Sequence, residues 1–251
     1  ATWPALAKLT CQLDFDDFLT LPPTSFAALR DLNVCIRSCN ASFIALIGSL
    51  HGLEKLHLME ILEVESDGAE VEYLSRETYL TFTSSLWVAI SGLPRLAELH
   101  LDILDVPEDE GGLAGYLNAP EGSFRNLQIV HLNEEWCPDI FRFCGKREAG
   151  QFVRQFPRLE HLSIFGCADW PEGMGGDLPW PQLKTLALHV KEFFSFPVPL
   201  GIRGMTQLTK FQVQGGGFDL PEWIGDLAQL TTLQVSADNI PALPQSVTKL
   251  Q

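Results

Sequence analysis

The chain has 251 residues, 46% of them hydrophobic and 20% charged, the composition of a globular protein rather than a disordered one. Its 17 basic and 32 acidic residues leave a net charge of -15, which works against binding a nucleic-acid backbone or an anionic membrane surface. No apolar run reaches the roughly 18 residues that span a bilayer, and the opening Ala1-Thr2-Trp3-Pro4 has neither the basic region nor the apolar stretch of a signal peptide.

Along the chain one pattern recurs nine times: an apolar residue, two free positions, Leu, two free positions, apolar, one free position, apolar. It begins with Trp3-Pro4-Ala5-Leu6-Ala7-Lys8-Leu9-Thr10-Cys11. It continues as FAALRDLNV (26–34), LHGLEKLHL (50–58), LPRLAELHL (93–101), FRNLQIVHL (124–132) and FPRLEHLSI (156–164). WPQLKTLAL (180–188), MTQLTKFQV (205–213) and LAQLTTLQV (227–235) complete the series, and Leu fills the second apolar slot in all nine copies. The alternation at the end of each copy predicts a short strand. One unit cannot bury its own apolar face, so the units must stack into a solenoid with a parallel sheet.

The third apolar slot falls at 9, 32, 56, 99, 130, 162, 186, 211 and 233, so the steps are 23, 24, 43, 31, 32, 24, 25 and 22. The three long middle steps call for insertions. An acidic loop is expected at 61–78, around Glu63-Val64-Glu65-Ser66-Asp67-Gly68-Ala69-Glu70, followed by a buried helix from Tyr79 to Ile90. A second inserted loop is expected at 105–122, with Glu108-Asp109-Glu110-Gly111-Gly112, and a helix from Lys146 to Gln155. The segments before strands two to six favour helices. In Leu220-Pro221-Glu222-Trp223-Ile224-Gly225-Asp226-Leu227, Pro and Gly oppose a long helix, and an extended or 3₁₀ path is expected. Neither end carries a polar capping unit of the kind solenoids need, so residues 1–251 are read as a single domain of nine to ten repeats cut from a longer protein.

These copies resemble the leucine-rich-repeat family, whose core motif is L-x-x-L-x-L-x-x-N/C-x-L, over nearly the whole chain. The resemblance implies an α/β solenoid, a curved horseshoe with a concave parallel sheet and convex helices mainly in its first half. The family's Asn/Cys slot is occupied here by Asp14, Arg37, Ile61, Leu104, Glu135, Cys167, Lys191, Gly216 and Asp238, so its buried polar ladder is interrupted.

His57, His100 and His131 occupy the same slot, between the two strand apolar positions, in three consecutive copies. Parallel strands about 4.8 Å apart would set them in a row on the concave face. His161 and His189 fall on the same face. The row continues through Ser163, Ala187, Gln212 and Gln234, with Met59, Phe165, Gln214 and Ser236 beside it. This mixed polar surface with apolar anchors suits protein recognition. A solvated strand face has the same composition, and the histidines read first as an exposed polar stripe and second as a pH-sensitive or acid-accepting contact row.

Six cysteines, Cys11, Cys35, Cys39, Cys137, Cys144 and Cys167, are too few and too scattered for a disulfide scaffold. Cys35-x3-Cys39 lacks the second pair a zinc site needs. Asn40-Ala41-Ser42 is a lone glycosylation sequon. No phosphate loop, nucleophile elbow or metalloprotease motif is present. No cofactor, metal, nucleic acid or membrane insertion is therefore expected, and the chain is read as a reduced, intracellular, non-catalytic binder of a partner protein. The resemblance extends to the repeats of ubiquitin-ligase substrate receptors and secreted bacterial effectors, through the helix-bearing first half and IPALPQSVTKL (240–250). FPRLEHLSIFGC and LPEWIGDL are similar to plant immune receptors or plant-pathogen effectors. A substrate-positioning role beside a catalytic domain outside the chain is a further alternative.

Overall fold

In a computed structural model of the chain, the described residues are 5–13, 23–36, 41–60, 76–102, 119, 122–133, 154–167, 180–190, 198, 200–217, 219–239 and 243–250. Each motif copy carries one strand: β1 (Lys8–Leu13), β2 (Asp31–Ile36), β3 (Lys55–Glu60), β4 (Glu98–Asp102) and β5 (Ile129–Asn133). β6 (His161–Cys167), β7 (Thr185–Val190), β8 (Lys210–Gly217) and β9 (Thr232–Asn239) complete them. All nine form one parallel sheet in sequence order.

The repeat's leucines make the core. Leu29, Leu53, Leu96, Leu127, Leu159, Leu183, Leu208 and Leu230, one per copy after the first, are all buried. The strands then alternate, Leu99 and Leu101 inward on β4 and Val130 and Leu132 inward on β5, with the intervening residues outward. Each buried leucine contributes about 1.5–3 kcal/mol relative to exposure. On β1 and β9, which have a neighbour on one side only, Leu9, Cys11, Leu233 and Val235 are only partly buried.

A second device locks the register. The carbonyl two residues before the third apolar slot accepts two N–H groups from the next copy. Ala97 accepts from Gln128 and Ile129 at 2.8 and 3.0 Å, and Gln128 from Glu160 and His161 at 2.9 Å each. The same pattern runs from Ala7 to Thr209. This stitching lies at the start of the strands, whereas the family's Asn/Cys slot lies beyond their ends. None of that slot's side chains in this chain is among those described.

Two α-helices occur among the described residues, α1 (Ala41–Ser49) and α2 (Arg76–Ser91), and they pack against each other before β3 and β4. Residues 76–78, the end of the loop expected at 61–78, are helical, and 61–75 lie outside the described residues. α2 is also not buried all round: Trp87 and Ile90 face the core, whereas Val88 is 54% exposed. Before β2 the described residues form a 3₁₀ turn, Pro23–Phe26, and residues 14–22 lie outside them. Pro23, the first residue of the turn, has no backbone N–H to donate. Leu220–Leu227 carries a 3₁₀ turn at Glu222–Asp226. The acidic clusters at 63–70 and 108–112 and most of the helix expected at 146–155 lie outside the described residues.

Candidate functional site

The sheet face opposite the core is the concave face of the solenoid, and all twelve residues singled out in the sequence are on its strands. His57 and Met59 lie on β3, His100 on β4, His131 on β5, and His161, Ser163 and Phe165 on β6. His189 lies on β7, Gln212 and Gln214 on β8, and Gln234 and Ser236 on β9. The parallel register sets His57 opposite His100, His100 opposite His131, and His131 opposite Ser163.

The imidazoles form a contact row. The rings of His57 and His100 are 5.3 Å apart and tilted by 44°, and those of His100 and His131 stack at 4.2 Å and 23°. Carboxylates hold the first two: His57 Nε2 lies 2.8 Å from Asp102 Oδ2, and His100 Nε2 lies 2.9 Å from Glu98 Oε1. Lys55 Nζ bonds the other Glu98 oxygen at 2.5 Å. Burial works to raise the Glu98 carboxyl, but the bonds from Lys55 and His100 outweigh it and hold it below the ordinary carboxylate range. His131 differs. Burial, reinforced by the neighbouring His100, pushes it from 6.5 down to about 4, and Glu98 and Asp102 only partly oppose this. At neutral pH its ring is an uncharged aromatic plate.

A second plate follows. Phe165 and His189 stack at 3.8 Å with 9° between their planes. Burial pushes the His189 imidazole below its ordinary value, partly offset by a hydrogen bond with Gln214. Between the plates the row drops to small residues. Ser163 and Ala187 point outward, yet each is only 6% exposed, because taller side chains surround them. The result is an open depression of about 410 Å³, bounded by His131, Gln212, the Phe165–His189 pair, and His161, Thr185 and Lys210 at the strand starts.

Several contributors were not singled out from the sequence. Asp102 and Glu98 orient the histidines and Lys210 adds a cation beside the glutamines, while Ala187, already in the row, gives the depression half its floor. Each lies two residues from a position in the histidine row or directly in it, so extending the same register by one alternation finds them. The two thiols described, Cys11 and Cys35, are unpaired, and Cys35 Sγ lies 3.5 Å from Met59 Sδ on the outer face. Cys11, partly buried against the core, has its thiol raised by burial and by Cys35. Cys39, Cys137 and Cys144 lie outside the described residues. Among the described residues no cluster of three or more His, Cys, Asp or Glu side chains is arranged to hold a metal ion, and no helix is long and apolar enough to cross a membrane.

A nine-stranded parallel sheet with one strand per leucine motif is a leucine-rich-repeat solenoid. Among solved structures the chain is similar to an internalin of Listeria monocytogenes, with a TM-score of 0.52 and 15% identity over 90% of this chain and 54% of that one. Weaker likenesses, with TM-scores of 0.43 and 0.38 and 19% identity each, are to a TDR receptor and a leucine-rich-repeat protein of Leptospira interrogans, of which the chain covers 40% and 62%. The chain thus spans between 40% and 62% of the length of these three structures. At such identities the likeness concerns the fold. No protein-family model matches the chain, and no curated protein matches it in sequence.

Proposed function

We propose that the concave face binds a partner protein, with His57, Met59, His100, His131, His161, Ser163, Phe165, His189, Gln212, Gln214, Gln234 and Ser236 forming the contact surface. One observation carries the reading: two stacked aromatic plates, His100–His131 and Phe165–His189, stand on either side of a depression on an otherwise polar sheet. Aromatic anchors inside a polar rim are the anatomy of a recognition surface, and a rigid sheet presents them at little entropic cost. The finer role we assign is target recognition inside the cell, for a ubiquitin ligase or a secreted effector, in line with the resemblance of the first half of the chain to such receptors. The second reading is a ligand-sensing domain of an intracellular immune receptor, favoured by LPEWIGDL and FPRLEHLSIFGC. In neither role does the chain itself catalyse a reaction.

The test is affinity capture from plant and animal lysates with the native chain and with a variant carrying His100→Ala, His131→Ala and Phe165→Ala, after circular dichroism shows that both fold. A partner held by the native chain and lost from the variant supports recognition by this face, and its identity chooses between ligase target and receptor ligand. A partner held equally by both refutes it and moves the contact to the inserted segments.

A further inference from the structure

We infer that the depression over Ser163 and Ala187 is an anchor pocket for an aromatic side chain of a protein segment that carries a carboxylate beside it. This rests on the reading of the concave face as a protein-binding surface and names what the surface selects.

Shape limits the occupant. The floor is two small residues on adjacent strands, and the depression of about 410 Å³, open on its outer side, is too wide for a lone methyl-bearing side chain. The stacked Phe165–His189 pair forms one wall and His131 another. Both imidazoles are disfavoured as cations by burial, so these walls are flat and uncharged at neutral pH. A planar apolar group seated edge-on or offset against them gains both burial and ring contact.

Charge selects the neighbour. Among the described residues, the cations near the strand starts are matched within the fold: Lys8 with Asp31 at 2.7 Å, Lys55 with Glu98, and Lys184 with Glu160 at 2.6 Å. Lys210, on the rim of the depression, has no carboxylate partner among those residues. His161 shares that rim and likewise meets no described carboxylate. In a protein of net charge -15 this is a local site where an anionic group is welcome while the rest of the surface repels it. An acidic residue adjacent to the anchoring aromatic would place its carboxylate over Lys210.

The experiment selects a phage-displayed library of random linear peptides on the native full chain, on Ala187→Phe, which fills the floor from the open side, and on Lys210→Glu, which reverses the charge of a half-buried rim residue. The expected result is enrichment of Phe, Tyr or Trp next to Asp or Glu on the native chain. A synthetic peptide of that sequence should bind Ala187→Phe at least about tenfold more weakly, the loss of one good anchor. Lys210→Glu should enrich Lys or Arg beside the aromatic instead. Enrichment of no such motif, or selected peptides that bind both variants as well as the native chain, would overturn the proposal. Binding of free N-acetyltyrosine as tightly as the peptide would also overturn it, in favour of a small-molecule site. If the peptides ignore both variants but are lost from the His100→Ala, His131→Ala, Phe165→Ala protein, the pocket fails and the concave-face reading survives. If they ignore all five substitutions, both fail.

Discussion

Replacing His131 with Phe separates the electrostatic cost of the histidine row from its packing. In the folded protein burial and His100 hold the His131 imidazole at about 4 against an ordinary 6.5. Between those values the unfolded chain binds a proton that the folded one refuses. Stability therefore falls as pH drops through this window, and the loss is complete below about pH 4. The gap is worth up to about 3 kcal/mol, and water reaching the ring edge reduces this to about 1–2 kcal/mol. Phe keeps the plate against His100, 4.2 Å away in the native protein, and cannot titrate. Urea unfolding of both proteins between about pH 7 and pH 4.5 should therefore show the native chain losing about 1–2 kcal/mol more than His131→Phe. Glu98, held below its ordinary range by Lys55 and His100, loses stability at still lower pH in both proteins and cancels in the comparison if its own contacts are kept. Imidazole resonances followed by NMR provide the direct check, with His131 expected to titrate near 4. A His131 that titrates at or above 6.5, or equal pH slopes in the two proteins, would refute the argument.

Two further predictions probe the core that supports the sheet. Gln155, fully buried, accepts hydrogen bonds from Trp87 Nε1 at 2.8 Å and from the Ala119 backbone N–H at 3.1 Å, tying α2 to the turn before β6. Gln155→Leu removes that acceptor from two donors and should cost about 2–4 kcal/mol in urea unfolding, whereas a loss under about 0.5 kcal/mol would contradict the bonding scheme. A Cβ at Gly225 would collide with the Ser246 carbonyl oxygen, where backbone must move, while one at Gly204 meets nothing within 4 Å. Gly225→Ala should thus lower stability by about 1–3 kcal/mol and Gly204→Ala should leave it level or slightly higher; similar thermal shifts in the two variants would count against close packing of the last 3₁₀ turns.

The fold was readable because its information is repeated. A leucine that must be buried in one copy must be buried in the next, and the nine strands begin where the nine copies place them. Register followed from the same fact, since opposite residues such as His57 and His100 hold equal places in equal units. The connecting segments carried no such repetition. The helix at Arg76–Ser91 and the 3₁₀ turn at Pro23–Phe26 depend on local residues that differ from copy to copy. A period tells which residues recur and is silent on where an insertion begins to coil.

The candidate site was legible as a row and illegible as a relief. Composition marked the histidines, but function on a flat sheet depends on height differences between neighbours. Those arise where a small residue falls beside a large one on adjacent strands, as Ala187 does beside Gln212 and Ser163 beside His131. Ser163 illustrates the point. It is polar and outward-facing, so it reads as exposed, yet its neighbours leave it only 6% accessible and convert it into a floor. Pairing hides information too: Lys55 and Lys210 occupy the same place in their copies, and only the presence of Glu98 beside the first makes the second the cation left to a partner. In a repeat protein the common residues therefore specify the platform, and the departures from the repeat, read across strands instead of along the chain, specify what the platform holds.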